Sequence, residues 1–392
     1  MEEDFKSWLT DLRNDFHQYP ELSLKEARTT RKIGEVLQDL GIIVTTFQDL
    51  TGAVGLIRGT QNNRTKQKTI ALRADIDALP MEETGNPPYK SKYKGVMHAC
   101  GHDANTAIAL GVARKIMESG LNTQINGNIK LIFQPAEEKL GGSLAMIDRG
   151  VLETPKVDRI LAGHMDPNFP VKTVGVFRQI GHAAADPFEL EITGKGCHGA
   201  RPHMGVNPIT AGGMFTAGID TIVQRYVSPA QTMVISIGSF HAGHAGNVIP
   251  EKAILQGTIR THTEAVRERV HKALKDLAKG IASIYGATLD LKIKSGAPLG
   301  LNDEIASNSL YTAACEVLGK GNVKRLPFIM GSDDFYYFTQ NCPGAMIRFG
   351  CAAPGDPAPL PLHSPQFDID PGVLEVGVDV LFKAVENFFK GS

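Results

Sequence analysis

A complete β-α-β-β-α-β pattern occupies the middle of this chain, and runs rich in metal-ligand residues flank it on both sides. His98-Ala-Cys100-Gly-His102-Asp103, Gln134-Pro-Ala-Glu137-Glu138 and Gly163-His164-Met165 precede it, and Leu362-His363-Ser364-Pro365 follows it. A fold must bring the last run back to the first three across the intervening block. The simplest solution is an α/β metal-binding domain, residues 1–182 and 295–392, interrupted by a ferredoxin-like satellite domain at 183–294. At 392 residues the chain is long enough for two domains.

Periodicity supports this division. Phe5, Trp8, Leu9, Leu12 and Phe16 recur at helical spacing, and a second helix is predicted from Lys25 to Leu40, stopping at Gly41. Ala53–Ile57, Thr69–Asp75, Ile129–Phe133 and Arg159–Gly163 read as strands, with a helix from His102 to Glu118. The last two strands run directly into Glu137-Glu138 and His164, so polar groups collect at strand C-terminal ends, where open α/β sheets bind ligands. In the middle, Phe188–Thr193 alternates like a half-exposed strand. A helix from Val206 to Arg225, strands at Thr232–Ile237 and Ala253–Ile259, a helix from Glu264 to Ile284 and a strand at Thr288–Ile293 complete the block. A helix from Asp303, a strand at Ala345–Phe349 and a helix from Gly372 to Phe389 close the chain.

Cys100, His102, Glu138, His164 and His363 are five ligand-type residues, more than the three that one catalytic zinc takes from its protein. They suit two metals sharing a bridging group, an arrangement that activates water for hydrolysis. Cys100 and His102, two apart, can face one side of an extended segment. Asp103 and Asn105 stand where the following helix begins, as capping residues do. Glu137 and Glu138 at a strand end point to opposite sides, so one can bind metal while the other faces substrate and moves protons. Asp75 either orients a ligand histidine from behind or simply ends its strand.

The charge balance excludes some partners. With 41 Lys and Arg against 42 Asp and Glu, nothing favours nucleic acid or an anionic membrane surface. The acidic start, Met1-Glu-Glu-Asp, is unlike a signal peptide, and no run approaches the length of a membrane helix. Five scattered cysteines read as reduced thiols, which predicts a cytoplasmic protein.

The chain resembles the M20 metallopeptidase family, in its amidohydrolase branch of N-acyl-amino-acid, hippurate and auxin-conjugate hydrolases. The motifs that carry the resemblance span nearly the whole chain. Beside the four runs above they are Leu72-Arg-Ala-Asp-Ile-Asp-Ala-Leu-Pro80, Gly194-Lys-Gly-Cys-His-Gly-Ala-Arg-Pro-His203, Gly246-Asn-Val-Ile-Pro250 and Gly257-Thr-Ile-Arg260. The resemblance implies a di-metal aminopeptidase-like catalytic domain with an inserted satellite domain. It implies that Cys100 bridges two metals, that His102 and His164 complete one, that Glu138 and His363 complete the other, and that Glu137 is the general base and acid. It further implies that His198 polarises the scissile carbonyl, typically in the partner subunit's site, and that Asn247 and Arg260 bind substrate. On pattern alone Asn247 reads as a turn residue and Arg260 as a strand-surface arginine. Two divalent ions are expected, manganese first, with zinc, nickel or cobalt as alternatives; a thiolate and three imidazoles favour zinc by softness. The implied reaction is hydrolysis of N-acyl amino acids, with a dipeptidase or carboxypeptidase as the alternative, in a homodimer or higher homo-oligomer built through the satellite domain. Ser332-Asp333-Asp334-Phe335 departs from the branch's usual Ser-Glu-Asp-Phe, and Cys197 replaces a usual small residue beside His198.

Overall fold

Runs such as Ile129–Phe133 and Ala345–Phe349 are apolar at nearly every position, which suits strands covered on both faces. In the computed structural model, which describes residues 2–61, 67–228 and 231–391, both are central strands of an eight-stranded sheet. The chain divides into two units, Met1–Gly181 with Leu301–Pro327 and Asp334–Ser392, and His182–Gly300 with Phe328–Asp333.

The first unit opens with helices α1 (Glu2–Gln18) and α2 (Ala27–Asp39) and strands β1 (Ile43–Thr46), β2 (Ala53–Arg58) and β3 (Lys68–Asp75). Then come α3 (His102–Ser119), β4 (Gly127–Gln134), α4 (Gly142–Asp148), β5 (Arg159–Pro170) and β6 (Val174–Phe177). A short β7 (Ile180–His182) leads into the second unit, which holds β8 (Ala184–Thr193), β9 (Cys197–His198), α5 (Pro208–Tyr226), β10 (Met233–Ala242), β11 (Val248–Ile249), β12 (Lys252–Thr261), α6 (Glu264–Tyr285) and β13 (Thr288–Ile293). After β14 (Gly300–Leu301) the chain adds α7 (Glu304–Leu318), β15 (Val323–Leu326), α8 (Tyr336–Thr339), β16 (Gly344–Ala352) and α9 (Gly372–Lys390).

The large sheet runs β1-β2-β4-β3-β5-β16-β6-β15. Its centre, β4, β3, β5 and β16, is parallel throughout, so these strands present their C-terminal ends along one edge. Register keeps those ends level: Asp75 pairs with Gln134, and Arg73 with Ala162, two residues before His164. One face of the sheet is covered by α1, α3, α7 and α9, whose Leu9, Leu12, Ile108, Leu310, Val378 and Leu381 are buried. The α3–α9 crossing is close because it uses glycine. A Cβ on Gly111 would stand 2.5 Å from Val378, and one on Gly377 would stand 2.4 Å from Ile108.

In the second unit, β10-β12-β8-β13 form one antiparallel sheet with two helices in β-α-β-β-α-β chain order. Phe188, Leu190, Ile192, Leu255 and Ile259 alternate inward against Phe215 and Ile219 of α5 and Val270 and Leu274 of α6. The helix ends are defined by side chains and by glycine. Thr263 accepts the Val266 amide at 3.2 Å, and Gly286 stops α6 at φ 67°. Phe328–Asp333 joins this unit although it lies more than thirty residues past β13; Ala183 donates to the carbonyls of Ile329 and Gly331 at 3.2 and 2.9 Å. Among the described residues no helix is long and apolar enough to cross a membrane.

Candidate metal centre

The C-terminal edge of the parallel strands explains why distant candidate ligands meet. His164 lies on β5, Glu137 and Glu138 follow β4, Cys100 precedes α3 and His102 opens it, and His363 lies in the connection from β16 to α9. Two sets result. Ligand atoms of Cys100, His102 and His164 lie within 4.8 Å of one another, and so do those of Cys100, Glu138 and His363. Cys100 belongs to both. A third grouping, His102, Glu137 and Glu138, brings the second carboxylate to the same place.

Tautomers are set from behind. His102 Nδ1 lies 2.9 Å from the Asp77 carbonyl and His164 Nδ1 lies 3.0 Å from the Met165 carbonyl. Each ring therefore donates its Nδ1 hydrogen to backbone and turns the Nε2 lone pair to the centre, as metal-bound histidines do. Among the described residues, His102 Nε2 and Glu138 Oε1 are buried without a hydrogen-bond partner. Lone pairs left this way cost stability unless a cation accepts them. Cys100 Sγ lies 3.6 Å from His164 Nε2 and 3.3 Å from His363 Nε2, and the latter is 3.3 Å from Glu138 Oε1. Sulfur and nitrogen bound to one ion at about 2.3 and 2.0–2.1 Å stand roughly 3.5 Å apart at tetrahedral angles. The donor set thus fits divalent metal.

Electrostatics separate the ligands. Burial pushes the Cys100 thiol up, against the pull of His102. Burial opposes charge on His102, but Asp75 and Cys100 outweigh it and raise its pKa. For His164, burial and Arg348 together lower the pKa well below the ordinary value. A bound divalent cation would reverse the preference of Cys100, because a coordinating thiol deprotonates.

Three local expectations change. Cys100 and His102 do not share an extended segment: Gly101 between them adopts φ 83°, and α3 starts at His102. Gly101, without a capping side chain, precedes the helix. Asp103 turns to Arg13 and His17, at 2.9 and 2.6 Å, and Asn105 donates to Asp75 at 2.7 Å. Glu137 and Glu138 do not diverge either. Ala136 at φ 53° turns the chain as it leaves β4, so both carboxylates converge. Asp75 stands 3.8 Å from His102 Nε2, on the ligand side of that ring, and is held by Arg73 at 2.5 Å.

The residue that supports the ring from behind is Asp77, which sequence reasoning passed over. Its carboxylate accepts the amides of both Glu137 and Glu138 at 3.1 Å and the Ser23 hydroxyl at 2.6 Å, while its carbonyl takes His102. The signal was present: Asp77 is a second acid immediately past a strand end. Asp334 was also missed; it accepts from Arg73, Gln134 and the Ser143 amide at 3.1, 2.6 and 3.1 Å.

The second unit carries the remaining candidates. His198 on β9 pairs with Val248 on β11, which places Asn247 beside it, and Gly199 donates to the Asn247 carbonyl at 2.7 Å. The Ala200 amide donates to His198 Nδ1 at 3.0 Å, so the ring hydrogen sits on Nε2. Both residues are exposed. Arg260 lies on β12, half-buried, and donates to Ser332 Oγ of the Phe328–Asp333 segment.

Residues 71–387 match Peptidase family M20/M25/M40. The chain belongs to this family. It is 36% identical to thermostable carboxypeptidase 2 of Saccharolobus solfataricus over 378 residues, covering 95% of this chain and 93% of that one. It is 37% identical to an N-acetyl-L-cysteine deacetylase of Bacillus subtilis, covering 92% and 83%. Among solved structures, the Bacillus subtilis YXEP protein, a dinuclear metal binding peptidase from the M20 family, superposes with a TM-score of 0.83 at 32% identity, covering 99% of each chain. The protein is accordingly a metal-dependent M20 hydrolase of mixed α/β fold.

Proposed function

We propose that this M20 protein hydrolyses the amide bond of N-acyl amino acids. The observation that carries the reading is Glu137, a carboxylate grouped with His102 and Glu138 beside the two candidate ligand sets that share Cys100. Its likeness to an N-acetyl-L-cysteine deacetylase supports an acylated amino acid as substrate. Cys100, common to both sets, would hold the ions together with His102 and His164 on one side and Glu138 and His363 on the other, and Asp75 would steady His102 from the ligand side of its ring. Two divalent ions held there, manganese first and zinc, nickel or cobalt otherwise, would acidify a water and polarise the scissile carbonyl.

Glu137 accepts the proton of the attacking water and delivers it to the departing nitrogen as the C–N bond breaks. His198, with its hydrogen on Nε2, donates to the carbonyl oxygen as negative charge grows there. Arg260 grips the free α-carboxylate through two parallel hydrogen bonds, and Asn247 orients the amide. Residues 183–294 serve as a satellite domain through which a homodimer or higher homo-oligomer forms and offers His198 to the partner's site. The partner molecule is a small substrate, not nucleic acid or membrane. Five free cysteines suit the reducing cytoplasm.

The carboxypeptidase likeness favours one alternative, a peptidase acting on free dipeptides or chain ends. A substrate panel separates the two. Purified protein is stripped with chelator, reloaded with manganese or zinc, and offered N-acetyl amino acids, hippurate and free dipeptides. Metal-restored release of amino acid from the acyl substrates supports the proposal. Release from dipeptides alone assigns the peptidase reading.

A further inference from the structure

Behind the ligands lies a polar cluster, buried at Arg13, His17 and Asp103, that no catalytic role uses. Arg13 of α1 has its Nε 2.9 Å from Asp103 and its second terminal nitrogen 2.9 Å from Asp368. Asp103 directly follows the ligand His102, and Asp368 lies on the loop that carries His363. One guanidinium thus spans the two segments that supply opposite ligand sets. His17 adds a contact to Asp103 at 2.6 Å, and the Tyr89 hydroxyl donates to Asp368 at 2.7 Å. The Tyr89 ring packs against the Arg13 guanidinium, 4.8 Å from centroid to Cζ.

The His363 loop has reason to be held. His363 adopts φ 64°, a backbone conformation that a residue with a side chain rarely takes. Its amide donates to the Ala99 carbonyl at 2.7 Å, and the Thr84 amide donates to the Pro365 carbonyl at 2.8 Å. Those two bonds fix the near side of the loop, and Arg13 with Tyr89 fixes the far side through Asp368. The His363 side chain is itself half-exposed, so packing alone does not place its ring. By contrast, His102 and His164 are buried and tied to backbone carbonyls. The two ligand sets therefore differ in how they are held: one by burial, the other by a tether.

We propose that Arg13 and Asp368 are positioning residues for one of the two ions, fixing the His363 loop so that the Cys100–Glu138–His363 set is formed before that ion arrives. This rests on the ligand reading above. It predicts unequal retention: the ion bound by Glu138 and His363 depends on the tether, and the ion bound by His102 and His164 does not.

Equilibrium dialysis of the full chain against manganese, with metal analysis, tests this. The variants are Asp368→Asn, Arg13→Lys, Glu138→Ala and the pair of Asp368→Asn with Glu138→Ala. Asp368 is partly exposed, so its replacement leaves the core intact, and Arg13→Lys keeps a positive charge beside Asp103 but loses the planar fork whose separate nitrogens meet the two acids. Wild type is expected to hold two ions. Asp368→Asn and Arg13→Lys are each expected to weaken one ion about 10–100-fold, the usual effect of removing support behind a ligand, and to spare the other. Asp368→Asn should add nothing in the Glu138→Ala background, since residues acting on one site are not additive. Equal weakening of both ions, no weakening, or further loss in the double variant would overturn the proposal. A wild type that binds fewer than two ions would instead overturn the ligand assignment beneath it.

Discussion

Glu137 and Glu138 share a turn and a neighbour, yet their exposure to change differs. Glu138 Oε1 faces His363, whereas Glu137 stands near His102 without being needed to complete either three-residue set containing Cys100. Glu137→Gln is nearly isosteric and should lower kcat by about 10²–10⁴, the range for loss of a general base, while metal analysis still finds two ions. A Gln variant with ordinary turnover would remove Glu137 from the mechanism. Asp77 acts one layer further back. Asp77→Ala leaves the amides of Glu137 and Glu138 without their acceptor and should cost about 1.5–3 kcal/mol in denaturant unfolding. It should also weaken metal about 10–100-fold. Unchanged affinity would mean that the turn after β4 holds its shape unaided.

At the scale of elements, one buried acid ties the stability of the second unit to pH. Asp186 of β8 accepts from Arg267 Nε and Nη2 at 2.7 and 2.6 Å and lies 2.8 Å from His271, so one acid ties the sheet to α6. Burial opposes its charge, but the bonds from His271 and Arg267 prevail and lower its pKa below the ordinary 3.8. A carboxylate that is more acidic folded than unfolded stabilises the fold above its unfolded value. That contribution shrinks as pH falls from about 3.8 toward the folded value. Acid unfolding of this unit should steepen in that window, and Asp186→Asn should abolish the steepening while costing about 3–5 kcal/mol near neutral pH. Circular dichroism against pH, with and without the substitution, decides it.

Elements of this kind were legible where one repeating pattern sufficed. The interleaved charges of α6 and the alternation of β8 and β13 lie where periodicity placed them. Strands β6 and β15 were not foreseen, because four-residue runs carry no period and they pair with each other across nearly 150 positions. The candidate ligands that the fold brings together were legible because each stands in a short run with few other uses. Their supports were not. Asp77 works through geometry at a turn, and the reach of Arg13 to Asp368 spans 355 positions with no sequence pattern to announce it.

For the whole molecule, every residue of the two Cys100-containing ligand sets belongs to the first unit. Binding only the folded form adds stability there, about 2.7 kcal/mol when ion concentration is a hundredfold above Kd. In calorimetry, chelator should therefore lower the transition of the first unit and spare that of the second. Equal movement of both transitions, or none, would place the metals elsewhere or make the two units unfold as one.

The Phe328–Asp333 segment also sets rules for anyone who cuts this gene. A fragment ending at Gly300 encodes every helix of the second unit and its whole four-stranded sheet, but omits the stretch that receives the Ala183 amide and the Arg260 guanidinium. A second unit transplanted between relatives as one contiguous piece would carry Arg260 without its native neighbour Ser332. A faithful exchange needs two splices, the second only a few codons long, and recombination in a single crossover would deliver chimeras in which Arg260 lacks its Ser332 contact.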